Sequence, residues 1–281
     1  MSRFTWVPVL CATALLLAGC QSAGIVGVSA PAASSCLDPS GVADPDIRRA
    51  SARISAANHC VTTRAFTAGG RTWTVFDIDS RRRGPLHVGP HDDENASLPI
   101  ALYALDRLGG RAVVVEAGDR RFFQGVDPNR HFSNGRASAA RCAGGAPDPA
   151  FAGNMLKGGG RPIIAYHTND NGYAGGGGSG TISIRRATAT LKPFPARGDE
   201  DNLILVAGRS ETPGGGTRRT IDALNAAGVH VVYEVVSAAR DDCSLSNHLI
   251  LGGGPRYFNI EVQHGAVSAG ERMVDALQGV L

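Results

Sequence analysis

Past residue 19 the chain has no apolar run approaching the roughly 20 residues that a membrane-spanning helix requires. Lysine is almost missing, at Lys157 and Lys192 only, so arginine carries nearly all of the positive charge. With 28 basic and 25 acidic residues the formal net charge is +3. That excess is too small to be the footprint of a nucleic-acid binder. No C-x-x-C pair occurs among the six cysteines, which argues against a zinc ribbon or a thioredoxin-like redox site. Glycine is abundant, at 37 residues, yet its runs at 158–160, 175–178, 214–216 and 252–254 keep no fixed period. They mark loops and exclude a repeat architecture.

What is present begins at the N terminus. Arg3 supplies a positive start, and an apolar stretch runs from Trp6 to Gly19, broken by Pro8 and Thr13. It ends in Leu16-Leu17-Ala18-Gly19-Cys20. A basic start, an apolar run of about 7–15 residues and small residues before a cleavage point make the anatomy of a secretory signal. Leu-Ala-Gly-Cys also resembles the lipobox of bacterial lipoproteins. That resemblance implies a signal over residues 1–19, a lipid on Cys20 and a place in the bacterial cell envelope. Gln21, standing where inner-membrane retention favours Asp, implies the periplasmic face of the outer membrane. An ordinary cleaved signal that happens to contain Cys20 is the alternative. Residues 21–45 are small, rich in Ser, Ala and Pro, and read as a flexible tether behind Cys20. The expected organisation is therefore signal 1–19, tether 20–45 and one domain over 46–281, which is long enough for a sizeable core.

Export places the remaining cysteines in an oxidising compartment. Cys11 leaves with the signal and Cys20 takes the lipid, which leaves Cys36, Cys60, Cys142 and Cys243. An even number fits two disulfides, in any of three pairings. We favour Cys36–Cys60 with Cys142–Cys243, because the first closes a local loop and can stabilise by roughly 3 kcal/mol.

Beyond the tether, short apolar runs alternate with helical patterns. Thr72–Ile78, Leu86–Val88, Ala112–Glu116, Pro162–Tyr166, Leu203–Ala207, Val229–Val236 and Tyr257–Val262 read as strands. Asn95–Leu108, with Leu98, Leu102, Leu105 and Leu108 on its apolar faces and Gly109-Gly110 as its stop, reads as a helix. Arg218–Ala227 and Ala269–Val280 read likewise. Interleaved strands and helices predict a single α/β domain, with a mixed, largely parallel sheet and helices on both faces.

In such sheets ligands collect at the carboxyl ends of strands, and four features fall there. His91-Asp92-Asp93-Glu94 follows the strand at Leu86–Val88, with His91 and Glu94 spaced to share one turn. His167 follows Pro162–Tyr166. Asp127-Pro128-Asn129-Arg130 forms the third feature. Glu261, in the apolar context Tyr257–Val262, is the fourth. Two His and one Glu with an open position make a known ligand set for catalytic zinc. Taken singly, each feature also has a plain structural reading: a solvated acidic turn, a core-edge histidine, an Arg130–Asp127 pair, a Glu261 buried against an arginine. His87 offers a competing H-x-x-x-H spacing with His91, but lies inside the strand. His264 either lines the site or faces water.

Taken in order, H-x-x-E, then Asn-Arg, then a strand-end His, then a late Glu in an apolar strand resembles the zinc carboxypeptidase superfamily. That group also holds the aspartoacylase and succinylglutamate desuccinylase enzymes. The resemblance runs over roughly residues 70–275, and HDDEN, DPNR and HTNDNGY look closer to a bacterial branch than to the digestive enzymes. It implies one Zn2+ per chain on His91, Glu94 and His167, a carboxylate clamp from Asn129 and Arg130, and Glu261 as general base in a catalytic domain over 46–281. An arginine that stabilises the oxyanion is also implied, a role open to Arg121 or Arg136. Tyr173, in the glycine-rich stretch after His167, is expected to close over the substrate.

The expected function is a zinc-dependent carboxypeptidase or amidase acting on exported or cell-wall peptides. A deacylase of small N-acyl amino acids is the second expectation, and a lipoprotein binding module that retains the fold without catalysis is the third. Expected partners are a peptide or acylated amino-acid substrate and a membrane reached through the N-terminal lipid.

Overall fold

The computed structural model describes residues 35–132, 142, 147–158, 161–169 and 201–281. Cys20, Arg136 and Tyr173 lie outside the described residues, as does the whole expected signal.

The described chain opens with two short helices, α1 (Pro45–Arg49) and α2 (Ser51–Ala56). Asp44 caps α1 by accepting from the Ile47 amide, with Pro45 at the first helical position. A hairpin follows, β1 (Cys60–Ala68) and β2 (Arg71–Asp79). It turns on Gly69 and Gly70, at φ 58° and 72°, as a two-residue primed turn requires. Strand β1 was not legible in the sequence. It is an edge strand whose half-buried positions mix Thr62 and Arg64 with Phe66, so that no apolar alternation marks it.

Next come β3 (Leu86–Gly89), α3 (Ser97–Leu108) and β4 (Arg111–Glu116). A 3-10 turn covers Pro128–Arg130, followed by α4 (Pro149–Met155) and β5 (Ile163–Asn169). The chain closes with β6 (Leu203–Gly208), α5 (Gly215–Ala226), β7 (His230–Val235), α6 (Leu245–Gly252), β8 (Tyr257–Gln263) and α7 (Val267–Gln278). Gly110 makes the α3–β4 turn possible: it sits at φ +92°, and a Cβ there would meet the Pro85 carbonyl oxygen at 1.9 Å.

The eight strands form one sheet in the order β1-β2-β4-β3-β5-β8-β6-β7. Strands β3, β4, β5 and β8 run parallel through the middle, β6 and β7 are parallel to each other, and antiparallel pairings join β1 to β2, β2 to β4 and β6 to β8. One face packs on α1, α2, α3, α5 and α7, around Ile47, Ile100, Leu105, Leu224 and Leu277. The other packs on α4 and α6, around Trp73, Val113, Phe151, Met155 and Leu249. The fold is thus α/β, with a mixed sheet and helices on both faces. All the described elements, both apolar cores and the two disulfides, Cys36–Cys60 and Cys142–Cys243, lie in one compact unit, residues 35–281. That unit carries its own stabilisation.

Side chains alternate across a strand, and this sorts the candidate residues. On β5, Tyr166 points to the α3 side, and His167 points to the α4/α6 side with Ile163 and Ala165. His87 on β3 points to the Tyr166 side.

Candidate metal centre

Strand β3 ends at Gly89, and Pro90 carries the chain into the turn holding His91 and Glu94. Asp92, inside that turn, accepts from the amides of Ala117 and Asp119, both at 2.8 Å. The acid between the two candidate ligands therefore ties their turn to the loop after β4, which the sequence did not announce. His167 lies inside β5, which runs on to Asn169; the strand is longer than the apolar run alone indicated. The residues of interest are almost wholly inside: His91 and His167 are each 4% exposed, Glu94 is 3% and Glu261 is 4%.

Three side chains meet at one point. His91 Nδ1 lies 2.8 Å from Glu94 Oε1, His167 Nδ1 lies 3.1 Å from Glu94 Oε2, and the two Nδ1 atoms are 3.2 Å apart. Two imidazole nitrogens and a carboxylate facing one another at such distances need a proton or a cation between them. Ligand distances of about 2.0–2.2 Å around a tetrahedral zinc put neighbouring ligand atoms about 3.3 Å apart. These three donors fit that arrangement.

His91 is held from its far side as well. Its Nε2 bonds Asp127 Oδ1 at 2.8 Å, and the same carboxylate oxygen accepts from the Asn129 amide. A carboxylate behind a metal-binding imidazole fixes the ring and its tautomer. Asp127 is thus a functional residue whose role sequence reading missed, although it stands in the D-P-N-R motif. Burial opposes charge on His91, but Glu94 and Asp127 overcome it and raise the imidazole to about 9. Burial would raise Glu94 too, yet the charge of His91 takes it well below the usual carboxylate range. His167 is pushed down by burial, with Glu94 opposing.

Glu261 stands opposite His167 in the β5–β8 register. Parallel partners share a face, so its carboxylate lies on the side of the ligand cluster. Burial pushes Glu261 up to about 8, the charge of Glu94 adds to the rise, and Asn259 opposes it by donating from Nδ2 to Oε1 at 2.9 Å. Asn259 is the second residue that sequence reading missed; it stands two positions before Glu261 and so must share its face.

Asn129 is engaged internally. Its Oδ1 accepts from the Leu245 amide at 3.1 Å, and its Nδ2 lies 3.4 Å from His167 Nε2. Arg130 is 3% exposed. Its Nε approaches Asp242 Oδ2 at 3.6 Å, a distance at which neither atom finds a hydrogen bond among the described residues. The sequence alternative that paired Arg130 with Asp127 is replaced by this Asp242 contact. Arg121 Nη1 donates to Glu94 Oε1 at 2.8 Å while its side chain stays 33% exposed. His87 is accounted for structurally. Its Nε2 donates to the Gly109 carbonyl at 2.9 Å, so its Nδ1 accepts from the Tyr166 hydroxyl at 2.6 Å.

Fold and site together define an α/β protein built around a candidate mononuclear metal centre. No family model matches the chain, and no curated protein is similar to it. Solved structures with a similar course of chain do exist. A provisionally assigned metallopeptidase from Shewanella amazonensis is 14% identical, with 84% of this chain and 89% of that chain covered and a TM-score of 0.44. Thrombin activatable fibrinolysis inhibitor is 8% identical, with 82% and 71% covered and a TM-score of 0.46. An aspartoacylase family protein from Mesorhizobium loti is 13% identical, with 78% and 66% covered and a TM-score of 0.39. The reading of the site rests on its own atoms.

Proposed function

We propose that the chain is a metallohydrolase that holds one zinc ion on His91, Glu94 and His167 and cleaves an amide bond with Glu261 as general base. The observation that carries this reading is the convergence of His91 Nδ1, Glu94 and His167 Nδ1 at one point, beside a buried carboxylate on the neighbouring strand. A zinc ion held by these residues would lower the pKa of a water to about 7 and polarise the scissile carbonyl. Glu261, in its ionised form, would accept a proton from a water at the cluster and pass it to the leaving amine. Asn259 orients the Glu261 carboxylate, and Asp127 keeps His91 turned with Nδ1 towards the cluster. Among the described arginines, Arg121 is placed to face charge developing on the carbonyl oxygen.

Asn129 and Arg130 hold a substrate carboxylate in this proposal, and Tyr173 covers it. The planar donor fork of Arg130 suits a carboxylate partner. With the lipid on Cys20 the enzyme works in the cell envelope, and its substrates are exported or cell-wall peptides.

The test is the zinc content of the purified protein beside His91→Ala and His167→Ala. About one zinc per chain, lost in both variants, supports the proposal; a native protein that holds no zinc after reloading ends it. Peptides and N-acyl amino acids, screened with Glu261→Gln as the control, then distinguish a peptidase from a deacylase.

A further inference from the structure

The described residues are lopsided in charge. Strands β3, β5 and β8 point their carboxyl ends at the metal centre. The opposite end is built from the β2–β3 connection, the α3–β4 turn and the entries to β5 and β8. Arg81, Arg82 and Arg83 are exposed there, as are Arg107, Lys157 and Arg161. Two clefts open between them. One, of about 710 Å³, is lined by Arg83, Arg107 and Arg161; the other, of about 350 Å³, by Arg64, Arg111, Lys157 and again Arg161, with one acid, Asp79, whose carboxylate accepts from the Arg81 amide.

The acids at this end are mostly committed. Asp106 is shared by Arg53 and His59, Asp275 takes Arg107, and Asp77 takes Arg64 and Arg111. Among the described residues, no carboxylate stands within ion-pair distance of Arg83, Lys157 or Arg161. Among the described residues, acids gather at the metal-centre end. Asp44, Asp92 and Glu116 crowd together there, with Asp93 and Asp119 beside them.

The chain also enters the domain at the basic end. The Leu37 amide donates to the Val61 carbonyl at 2.8 Å, and Cys36 is joined to Cys60 at the start of β1. Cys60 pairs with Asp79, Asp79 with Arg111 and Arg111 with Leu86, which is the basic edge of the sheet. The apolar stretch from Trp6 to Gly19 precedes this point in the same chain.

We propose that this end is a docking face for an anionic phospholipid bilayer, which seats the domain with the metal centre turned towards water. The exposed cations stand on several separate segments of this end, the β2–β3 connection, the last turn of α3, the residues after α4 and the entry to β5, so one extended anionic surface can engage them together. Attraction of this kind acts within a Debye length of the lipid surface and weakens with salt. It stands independently of any metal chemistry.

The unit of residues 35–281, which lacks the apolar stretch, is mixed with vesicles of 30% phosphatidylglycerol in phosphatidylcholine or of phosphatidylcholine alone, and floated. The expected result is binding to the anionic vesicles only, weakened about tenfold or more by Arg83→Glu/Lys157→Glu/Arg161→Glu and by raising the salt from about 50 to 300 mM. The same number of reversals away from this end, Arg48→Glu/Arg49→Glu/Arg120→Glu, should leave most of the binding. Equal binding to both vesicles, no binding to either, or equal losses in the two triple variants would each overturn the proposal. So would tighter retention on duplex DNA than on the anionic vesicles, which would assign the face to a nucleic acid.

Discussion

His91 is gripped from both sides, by Glu94 on Nδ1 and Asp127 on Nε2, and the two grips do different work. Glu94 belongs to the cluster; Asp127 stands behind it. Asp127→Asn should therefore leave a folded protein whose zinc affinity is about 10–100-fold weaker, read by competition with a chelator. Glu261 makes the opposite prediction. Glu261→Gln should keep the zinc and lower hydrolysis by about 10²–10⁴-fold, measured on whichever substrate the native protein cleaves. A variant that loses the metal as well would make Glu261 part of the ion site and not the base. At this scale the three side chains that converge were legible, because histidine and glutamate at short spacing stand out as candidate ligands. Asp127 and Asn259 were not, because a carboxylate or amide acting through a neighbour looks like any polar residue until the neighbour's second nitrogen or oxygen is located.

Elements were legible where periodicity was strong. The α3 pattern and the apolar cores of β4, β5 and β8 stood out, with ends shifted by up to three residues, the most at β5, which runs on to Asn169. The edge strand β1 and the short helices α1, α2, α4 and α6 did not. Their positions are dictated by capping and by the sheet they cover, and their own patterns are too short to declare a period. The sharpest element-scale constraint is the α3–β4 turn. At Gly110 both the positive φ and the Pro85 carbonyl exclude a side chain, and backbone atoms cannot rotate away as a side chain can. Gly110→Ala should cost on the order of 3 kcal/mol in urea denaturation, from strain and overpacking together. A loss below about 0.5 kcal/mol, typical of a surface change, would mean that the turn opens easily.

The whole molecule should respond to pH through His87, which lies far enough along β3 to be clear of the ligand turn. Burial pushes this imidazole down from 6.5 to about 4, with the Gly109 carbonyl opposing. Above pH 6.5 it is neutral folded and unfolded alike, and its contribution to stability is complete. As the pH falls towards 4, the unfolded chain gains a proton that the folded protein refuses. Stability is therefore lost over that window, by about 3 kcal/mol in all. Chemical denaturation between pH 7 and 4 should show this slope in the native protein and a shallower one in His87→Gln; identical slopes would remove His87 from the account. The disulfides act at the same scale. Replacing both Cys36 and Cys60 by Ser should lower stability by roughly 3 kcal/mol, since the pair closes a loop of 24 residues. The mixed sheet was foreseeable from alternating strands and helices, but the order of its strands was not, because pairing between distant segments leaves no local signal.

That order has a consequence for how the molecule is made. Strand β8 is the last to leave the ribosome, yet it is seated in the middle, between β5 and β6. Until it arrives, β6 and β7 have no strand linking them to the other five, and β5 presents a bare edge of the kind that invites aggregation. A chain released before Tyr257 already holds His91, Glu94 and His167, but it is two half-sheets without Glu261. Synthesis and sheet closure thus end together: the segment that joins the two half-sheets is also the one that carries Glu261, the base of the proposed reaction, so a product truncated before it lacks both.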